Sequence, residues 1–497
     1  MKIAMLSWET LHSIRVGGIA PHVSELAAAL VTIGHEVHVF TRLGPGQPGY
    51  DLLDGVHYHR CGFEPSTDFV TGMERMSDSF VWHLAEEESW SGRVYDIVHG
   101  HDWLVGHALR RIKDDHAHPV VVTIHSTEYG RCGNELFWHG QSRRIRELEW
   151  ESTYIANRVI CVSESLKKEV AWLYSVPGDK TTAVYNGVDV RPFDAEVDTL
   201  AVRKQLKVGL DEPCVLFAGR LAWQKGPDLL VEAIPQVLRE HPNTKFVFAG
   251  EGSMRSELET RIGEIGGADA TRFVGYQSGA PLIGLFKTAD VVCVPSRNEP
   301  FGIVILEAWS ATKPVVATRT GGPAEFVTHK ETGWTVPMEI DAISDGLDAV
   351  LSDEAHGERM GRAGRREAET RFSWNTIARQ TESIYESVFS SGGEAFDARS
   401  KGQTTARTLA SKGVAGGETR GAASRYTIRK SNGLVVPARG SDANAPAPSD
   451  EDIRRRAHEI YLSRNGTPGD AATDWLQAER ELQVERAPDA KPGRKRP

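Results

Sequence analysis

Short apolar runs alternate with amphipathic stretches along the first half of the chain, which predicts strands separated by helices. A helix is predicted from Pro21 through Leu30, and Gly34 ends it. The predicted strands of this half are Lys2–Leu6, Val37–Phe40, Asp96–His99, Val120–His125 and Arg158–Val162. Strands separated by helices favour right-handed crossovers, so we expect a parallel sheet.

The same alternation restarts after Tyr185–Asp189, a stretch that is typical of a turn and linker. A predicted strand at Val215–Gly219 is followed by a predicted helix at Pro227–Arg239, and the unit ends near Phe389. Its further predicted strands are Lys245–Gly250, Val291–Val294 and Pro314–Ala317. Two doubly wound units that face each other create a cleft at the carboxyl ends of their strands, where open α/β sheets bind ligands.

The composition changes after about Ser390. Residues 391–447 have almost no large apolar side chains, and they contain nine Lys or Arg against four acidic residues. Such a segment cannot bury enough surface to order itself, so we predict a disordered linker. A helical pattern returns at Asp450 and is interrupted at Gly466–Gly469, which predicts a small helical hairpin. The first predicted α/β unit is 1–195 and the second is 196–390. The predicted linker is 391–447, and the predicted hairpin with its tail is 448–497.

Composition and charge narrow the class of protein. Hydrophobic residues make up 40% of the 497 residues, which allows a large core and excludes a collagen or a fully disordered chain. The formal net charge of −10 argues against a dedicated nucleic-acid binder, which usually has a basic domain. The five cysteines include no C-x-x-C pair, so we expect neither a disulfide framework nor a zinc knuckle. With no signal sequence or membrane-spanning stretch, we expect a cytoplasmic protein.

The most specific motif is the segment Glu299–Glu307, with the sequence E-P-F-G-I-V-I-L-E. It follows a buried strand and opens a helix, so the backbone N–H groups around Gly302–Val304 have no partner within the helix and favour an anion. Glu307, two turns further along, could hydrogen-bond a diol such as ribose. The alternative is that both glutamates are solvated surface charges, but the strand–loop–helix context favours a binding site.

A second motif, Gly219–Leu221, ends another predicted strand and is followed by Lys225–Gly226. Arginine offers a planar fork to phosphate oxygens and lysine a compact charge, so Arg220 and Lys225 could neutralise a diphosphate. A solvated pair at a loop is the alternative. The loop Arg15–Ile19 is not a dinucleotide fingerprint, and the chain has no Walker A sequence. The D-x-D at Asp450–Asp452 starts the predicted tail helix, so metal-clamped diphosphate chemistry has little support.

Histidines end two of the predicted strands of the first half. His125 leads into Ser126–Arg131, at a strand end that would face the cleft. A catalytic group or a sugar contact would lie at such a position. His99–Asp102 ends another strand, where metal ligation is the less favoured alternative.

Taken together, these motifs resemble those of the retaining glycosyltransferases of family 4. The resemblance extends over residues 1 to about 390 and implies the α/β fold class called GT-B, with two facing Rossmann-like doubly wound domains. The second half carries it in the segments Glu299–Glu307, Gly219–Leu221, Lys225–Gly226, and Thr320–Pro323 with Glu325. The first half, with its Gly-Gly loop, its His-Asp-Trp and its T-I-H-S-T-E-Y-G-R sequence, is closest to the glycogen and starch synthase-like branch.

The resemblance implies roles for individual residues. Arg220 and Lys225 would bind the donor diphosphate and stabilise the leaving group, while Glu299 and His125 would contact the donor sugar. The other donor-binding positions are Arg15, Gly17, Gly18, Gly219, Phe301, Gly302, Ile303, Val304 and Glu307. The candidate acceptor contacts are Asp102, Glu128 and Tyr129. The last helix, at about Trp374–Phe389, would cross back onto the first domain.

The implied reaction moves a hexose, expected to be glucose, from ADP-glucose or UDP-glucose to a hydroxyl of an α-1,4-glucan. The anomeric configuration would be retained without a required metal or cofactor. The alternatives are synthesis of a small glucoside such as maltose 1-phosphate, action on a cell-envelope glycan, a non-catalytic sugar-nucleotide-binding protein, and a sugar-nucleotide epimerase. Synthase-type enzymes usually have K-x-G-G in the first loop, where this chain has Arg15–Gly18. The tail resembles a small uncharacterised helical domain of bacterial proteins, which suggests a bacterial source.

Overall fold

The computed structural model describes residues 1–390, apart from Ala117 and Trp138, together with Arg456. The predicted linker at 391–447 and the predicted hairpin within 448–497 therefore lie outside the described residues, with Arg456 excepted. Among the described helices, none is both long enough and apolar enough to cross a membrane.

The first half contains an eight-stranded sheet with helices between its strands. The strands are β1 (Lys2–Leu6), β2 (Glu36–Arg42), β3 (Tyr50–Leu53), β4 (Val56–Cys61), β5 (Ile97–His101), β6 (Val120–Ile124), β7 (Arg158–Cys161) and β8 (Thr181–Ala183). Their order across the sheet is β3-β4-β2-β1-β5-β6-β7-β8. Strands β3 and β4 pair antiparallel, and every other neighbouring pair is parallel. The helices are α1 (Ile19–Thr32), α2 (Phe69–Ser91), α3 (Gly106–His116), α4 (Glu128–Arg131), α5 (Gly140–Ile155) and α6 (Glu164–Tyr174).

The second half contains a six-stranded sheet that is parallel throughout. Its strands are β9 (Cys214–Ala218), β10 (Lys245–Ala249), β11 (Thr271–Gly275), β12 (Val291–Val294), β13 (Val315–Thr318) and β14 (Trp334–Val336). They lie in the order β11-β10-β9-β12-β13-β14. The helices are α7 (Thr199–Leu206), α8 (Pro227–Glu240), α9 (Arg255–Glu264), α10 (Ala280–Thr288), α11 (Ile303–Ser310), α12 (Pro323–Phe326), α13 (Ile340–Ser352), α14 (Glu354–Thr370) and α15 (residues 374–390). Short 3-10 turns lie at Trp103–Val105, Arg191–Asp194, Trp223–Lys225 and Ala268–Ala270.

The two doubly wound sheets confirm the predicted α/β fold class. Each predicted strand is present, with ends that shift by at most two residues, but the prediction omitted five strands: β3, β4, β8, β11 and β14. Strands β3 and β4 form a hairpin whose turn, Asp54-Gly55, has positive φ at both residues, 51° and 76°. This is the backbone that an Asp-Gly hairpin turn requires, so the local signal for the hairpin was present.

Helix α15 follows the second sheet in the chain but packs on the first. Its buried residues, which include Thr381, recur every three or four positions, so the helix has one buried face. Ile377 and Tyr385 are buried in the same apolar cluster as Ile3 and Val39. The hydroxyl of Tyr385 lies 2.6 Å from Nδ1 of His99, the third residue of β5. The chain therefore passes back over the first half after it has completed the second.

Candidate active site

The carboxyl ends of the central strands bring most of the predicted site residues together. In each sheet the strand order reverses next to the first strand, between β1 and β5 and between β9 and β12. Such switch points are where open α/β sheets bind ligands. Arg220 and Glu299 follow β9 and β12, while Asp102 and His125 follow β5 and β6.

Lys225 and Glu299 form a close ion pair in the second half. The Lys225 ammonium lies 2.8 and 2.7 Å from the two carboxylate oxygens of Glu299, and the hydroxyl of Ser296 donates to one of them at 3.0 Å. The Glu299 side chain is buried. Because a buried charge is costly without partners, these contacts hold Glu299 in one orientation. The pair couples the predicted diphosphate cation to the predicted sugar contact.

Two glycines hold the Glu299 loop in place. A Cβ on Gly321 would lie 2.0 Å from the carbonyl oxygen of Glu299, and one on Gly322 would lie 2.3 Å from that of Phe301. The N–H of Gly322 also donates to the Glu299 carbonyl at 2.9 Å. Only glycine permits this approach, so the Thr320–Pro323 segment fixes the backbone from which Glu299 projects.

Helix α11 begins at Ile303, directly after Gly302, which has φ 102°. The N–H groups of its first turn have no partner within the helix, so Ile303 and Val304 present donors at the positive end of the helix dipole. The helix begins where it was predicted, but Glu307 is its fifth residue and therefore lies about one turn into α11, not two. Burial raises the pKa of Glu307 to about 7, and the charge of Arg15 opposes that rise.

Phe301, Gly219 and Arg220, three further residues predicted to meet the donor, each have contacts within this half. The Phe301 ring is buried and packs on Phe326 at 5.1 Å between centroids, so only its backbone could meet a donor. The Gly219 N–H donates to the Ala249 carbonyl at 2.9 Å, so it extends the strand pairing. Nη2 of Arg220 donates to the Gln224 side chain at 3.2 Å, and partial burial together with the Arg131 charge lowers the pKa of Arg220.

The loop that carries Arg15, Gly17 and Gly18 reaches from the first half to the start of α11. A Cβ on Gly18 would lie 3.3 Å from Cδ1 of Ile303. Behind the loop, Oε2 of Glu9 accepts the N–H groups of Val16 and Gly17 at 2.5 and 2.6 Å. The sequence prediction missed Glu9, because no motif connects it to the two glycines.

His125 lies in a group of buried histidines at the carboxyl ends of β5 and β6. The Nε2 of His125 is 3.2 Å from the Nδ1 of His101, and its ring centroid is 4.5 Å from that of His22. His22 is fixed by Asn186, because Nδ1 of His22 lies 2.7 Å from Oδ1 of Asn186. Burial lowers the pKa of all three imidazoles, that of His22 to about 4, so they are neutral near pH 7. Neither His22 nor Asn186 was predicted, because each belongs to the site only through long-range contacts.

These three histidines, His22, His101 and His125, offer ring nitrogens that all lie within 4.8 Å of one another. Neutral imidazole is a good ligand for zinc and related ions, so the group is chemically able to hold a divalent metal. Nδ1 of His22 is hydrogen-bonded to Asn186, and Nδ1 of His101 to Nε2 of His125, whereas Nε2 of His22 and Nε2 of His101 are buried without a hydrogen-bond partner among the described residues. No metal ligand was predicted from the sequence, where metal ligation at His99–Asp102 was the less favoured alternative.

Asp102 supports His125 from behind. One carboxylate oxygen of Asp102 accepts the backbone N–H of His125 at 2.6 Å, and the side chain is buried. Burial raises the pKa of Asp102 to about 7, against the effect of the Arg131 charge. Its backbone, with φ 59° and ψ 176°, lies in a region that non-glycine residues seldom adopt, and such strain is concentrated at functional sites. Asp102 therefore orients His125, and its contact with an acceptor stays a prediction.

The two remaining predicted acceptor contacts lie at the start of α4. The Glu128 carboxylate accepts from the Arg131 guanidinium at 3.1 Å and from the Ser142 hydroxyl at 2.7 Å, so internal partners occupy it. The Tyr129 ring packs edge-on against Trp172, with centroids 5.3 Å apart. Neither side chain lies within hydrogen-bond distance of His125.

A carboxylate of the second half also reaches the first half. Glu325 accepts the backbone N–H groups of Glu164, at 3.0 Å, and Ser165 at the start of α6. It further accepts the hydroxyl of Tyr185 at 3.2 Å. A carboxylate at a helix amino terminus is stabilised by the free N–H groups and the helix dipole. Glu325 therefore ties the two sides of the cleft together.

Comparisons with known proteins agree with this architecture. A family model described as Glycosyl transferases group 1 matches residues 198–367, and one described as Glycosyltransferase Family 4 matches residues 16–191. A third, described as Protein of unknown function (DUF2934), matches residues 448–483 of the tail.

The chain is 39% identical over 394 residues to an uncharacterised glycosyltransferase of Methanocaldococcus jannaschii, which covers 78% of this chain and 98% of the relative. It is 31% identical over 410 residues to a glycogen synthase of Mycobacterium tuberculosis, covering 78% and 94%. Among solved structures, it resembles a sucrose-phosphate synthase from Thermosynechococcus elongatus, with TM-score 0.66, 24% identity and coverage of 78% and 99%. It also resembles Anabaena HepE in complex with UDP-glucose, with TM-score 0.63, 21% identity and coverage of 78% and 100%.

Proposed function

The chain belongs to the GT-B glycosyltransferases, with a group 1 second half and a family 4 first half, and on that premise we propose that it is a retaining hexosyltransferase. The donor is a nucleotide-diphospho-sugar and the acceptor is a hydroxyl group of a saccharide. The reaction needs no metal, since protein cations take the role of neutralising the diphosphate.

The observation that carries this proposal is the Lys225–Glu299 pair beside the amino end of α11. A departing nucleoside diphosphate gains negative charge as its bond to the sugar breaks. Lys225, Arg220 and the free N–H groups of α11 are positive groups fixed in advance, and such preorganised groups stabilise developing charge. Glu299, held by Lys225 and Ser296, offers a carboxylate of defined orientation to the sugar hydroxyls.

We infer a front-face displacement from this arrangement. The bond from the anomeric carbon to the diphosphate oxygen breaks, and the acceptor oxygen forms its new bond on the same face. The acceptor proton passes to the departing phosphate oxygen. The neutral His125 imidazole contacts a sugar hydroxyl, while Asp102 and His101 fix its position. Closure of the cleft excludes water, which limits hydrolysis of the donor.

For the substrates, we propose glucose as the transferred sugar, ADP-glucose or UDP-glucose as the donor, and an α-1,4-glucan as the acceptor. The similarity to a glycogen synthase over most of both chains supports this choice. We further propose that the protein works in the cytoplasm, because all five cysteines are unpaired thiols, as a reducing compartment favours.

A donor and acceptor screen tests the proposal. Purified protein is incubated with ADP-glucose or UDP-glucose and with glycogen, maltooligosaccharides or glucose 1-phosphate, and release of the nucleotide and the glycosylated product are measured. We expect elongated glucan with one donor preferred, and Arg220→Ala should abolish the activity. Arg261→Ala is the matched control, because Arg261 pairs with Glu232 on the exposed surface. Failure to turn over any sugar nucleotide would overturn the proposal, and donor consumption without an acceptor would favour an epimerase or hydrolase.

A further inference from the structure

The buried carboxylate of Glu9 has no place in the reaction described above, although it lies directly behind the Arg15–Gly18 loop of the first half. We propose that Glu9 is a positioning residue that holds the Arg15–Gly18 loop in the conformation that receives the donor. This inference rests on the proposed function for its effect on donor binding, but the contact itself can be tested without activity.

Glu9 holds the loop through two hydrogen bonds to its backbone. Its Oε2 accepts the N–H groups of Val16 and Gly17 at 2.5 and 2.6 Å, so two consecutive amides converge on one oxygen. Consecutive backbone N–H groups form a concave anion site, and hydrogen bonds to a charged acceptor are the stronger kind. Glu9 is 2% exposed, whereas Val16 is 53% exposed. The buried carboxylate thus anchors a loop that otherwise lies at the surface.

The loop lies against the start of α11. Gly18 lies against Ile303, with 3.3 Å from a Cβ on Gly18 to Cδ1 of Ile303, and Ile303 is the first residue of α11. Arg15, at the other end of the loop, is close enough to Glu307 for its charge to act on that carboxyl. A displaced loop would therefore change both the diphosphate end and the proposed ribose end of the donor site.

Glu9 occupies two backbone amides that a donor phosphate could otherwise bind. A donor phosphate cannot take the Val16 and Gly17 amides, because a carboxylate already occupies both. We expect the first half to meet the donor through Gly18 and Arg15, so Glu9 acts through the loop and does not touch the substrate. Its loss should weaken binding of the donor and leave binding of the acceptor unchanged.

The test combines hydrogen exchange with kinetics in the full-length protein. In Glu9→Gln, the amides of Val16 and Gly17 should exchange about tenfold faster, and the donor KM should rise about tenfold, as expected for a weakened charge-assisted hydrogen bond. The acceptor KM and kcat should stay within about twofold. Glu9→Ala should show a larger donor effect, and Glu9→Gln should recover part of it.

Glu25→Gln is the matched control, because Glu25 is a partly buried carboxylate on α1 that faces Asp189 and Arg191 instead of the loop. It should leave both KM values unchanged. If wild-type protein transfers sugar but Glu9→Gln alters neither loop exchange nor donor KM, the inference is wrong and the proposed function stands. Equal rises in both KM values with a lower Tm would show a merely structural role. If wild-type protein transfers nothing, the proposed function fails, while unchanged loop exchange in Glu9→Gln would still overturn the inference.

Discussion

The two sides of the cleft are built on different principles. In the second half, the site consists of charged groups and free N–H groups from two short segments, around Arg220–Lys225 and Glu299–Val304. In the first half, neutral buried imidazoles surround His125, and carboxylates such as Asp102 and Glu9 serve backbone N–H groups. Charge stabilisation is therefore concentrated on the side proposed for the diphosphate, while the other side orients neutral imidazoles.

The largest expected effect comes from removing charge on the second side. Lys225→Ala deletes the cation beside the proposed leaving group and leaves the buried Glu299 without its main partner. Loss of one preorganised electrostatic group costs about 10²–10³ in kcat. Steady-state kinetics with saturating donor and acceptor would measure it, with Arg261→Ala as the surface control. A loss below about fivefold would contradict the assignment of charge stabilisation to this side.

Removing a neutral group from the first side should cost less. His125→Ala removes hydrogen-bond contacts of an uncharged imidazole, which are worth about 0.5–1.5 kcal/mol each, so we expect a loss of about tenfold to 10² in kcat/KM. The same kinetic assay measures it. A loss equal to or greater than that of Lys225→Ala would erase the contrast between the two sides.

The two sides also differ in how much the sequence reveals. The second side could be predicted from the sequence, because Gly219–Lys225 and Glu299–Glu307 are contiguous motifs whose residues meet through local strand–loop–helix geometry. The first side depends on partners that are far apart in the chain: His22 with Asn186, and His99 with Tyr385, 286 residues later. The local sequence around each of these four residues does not specify its partner, so only the fold reveals the two pairs.

The strands also differ in how well the local sequence predicts them. The central strands were predicted because they are continuous apolar runs, as strands buried on both faces must be. Strands β8 and β14 have three residues each and lie at the edges of their sheets, where a short run carries little signal. Phe301 was predicted to bind the donor because it lies within the motif, and the motif alone does not show that its ring is buried in the core.

The pH dependence of donor binding tests the second side further. Burial raises the pKa of Glu307 to about 7, so its carboxyl is largely protonated below pH 7 and ionised above it. The ionised form accepts two hydroxyl groups of a diol, so the donor KM should fall about tenfold between pH 6 and pH 8. Glu307→Gln should remove this dependence. A donor KM that is flat with pH in wild-type protein would contradict a ribose contact at Glu307.

The smallest effect is expected where the two sides meet. Glu325→Gln keeps the shape of the side chain but weakens the hydrogen bonds to the amino end of α6, a change of about 0.3–1 kcal/mol. We expect donor and acceptor KM to rise together by about twofold to fivefold, because the variant loosens the cleft as a whole. Rises confined to the donor would show that Glu325 acts on the donor alone.

The stereochemistry of the transfer is the decisive observation, because a front-face displacement retains the anomeric configuration. Proton NMR of the first product formed from ADP-glucose or UDP-glucose, followed in time with a maltooligosaccharide acceptor, gives the configuration at the anomeric carbon. We expect an α-linked product from the α-linked donor in wild-type protein, formed about 10²–10³ times more slowly in Lys225→Ala. A β-linked product, or the same rate in Lys225→Ala, would contradict it.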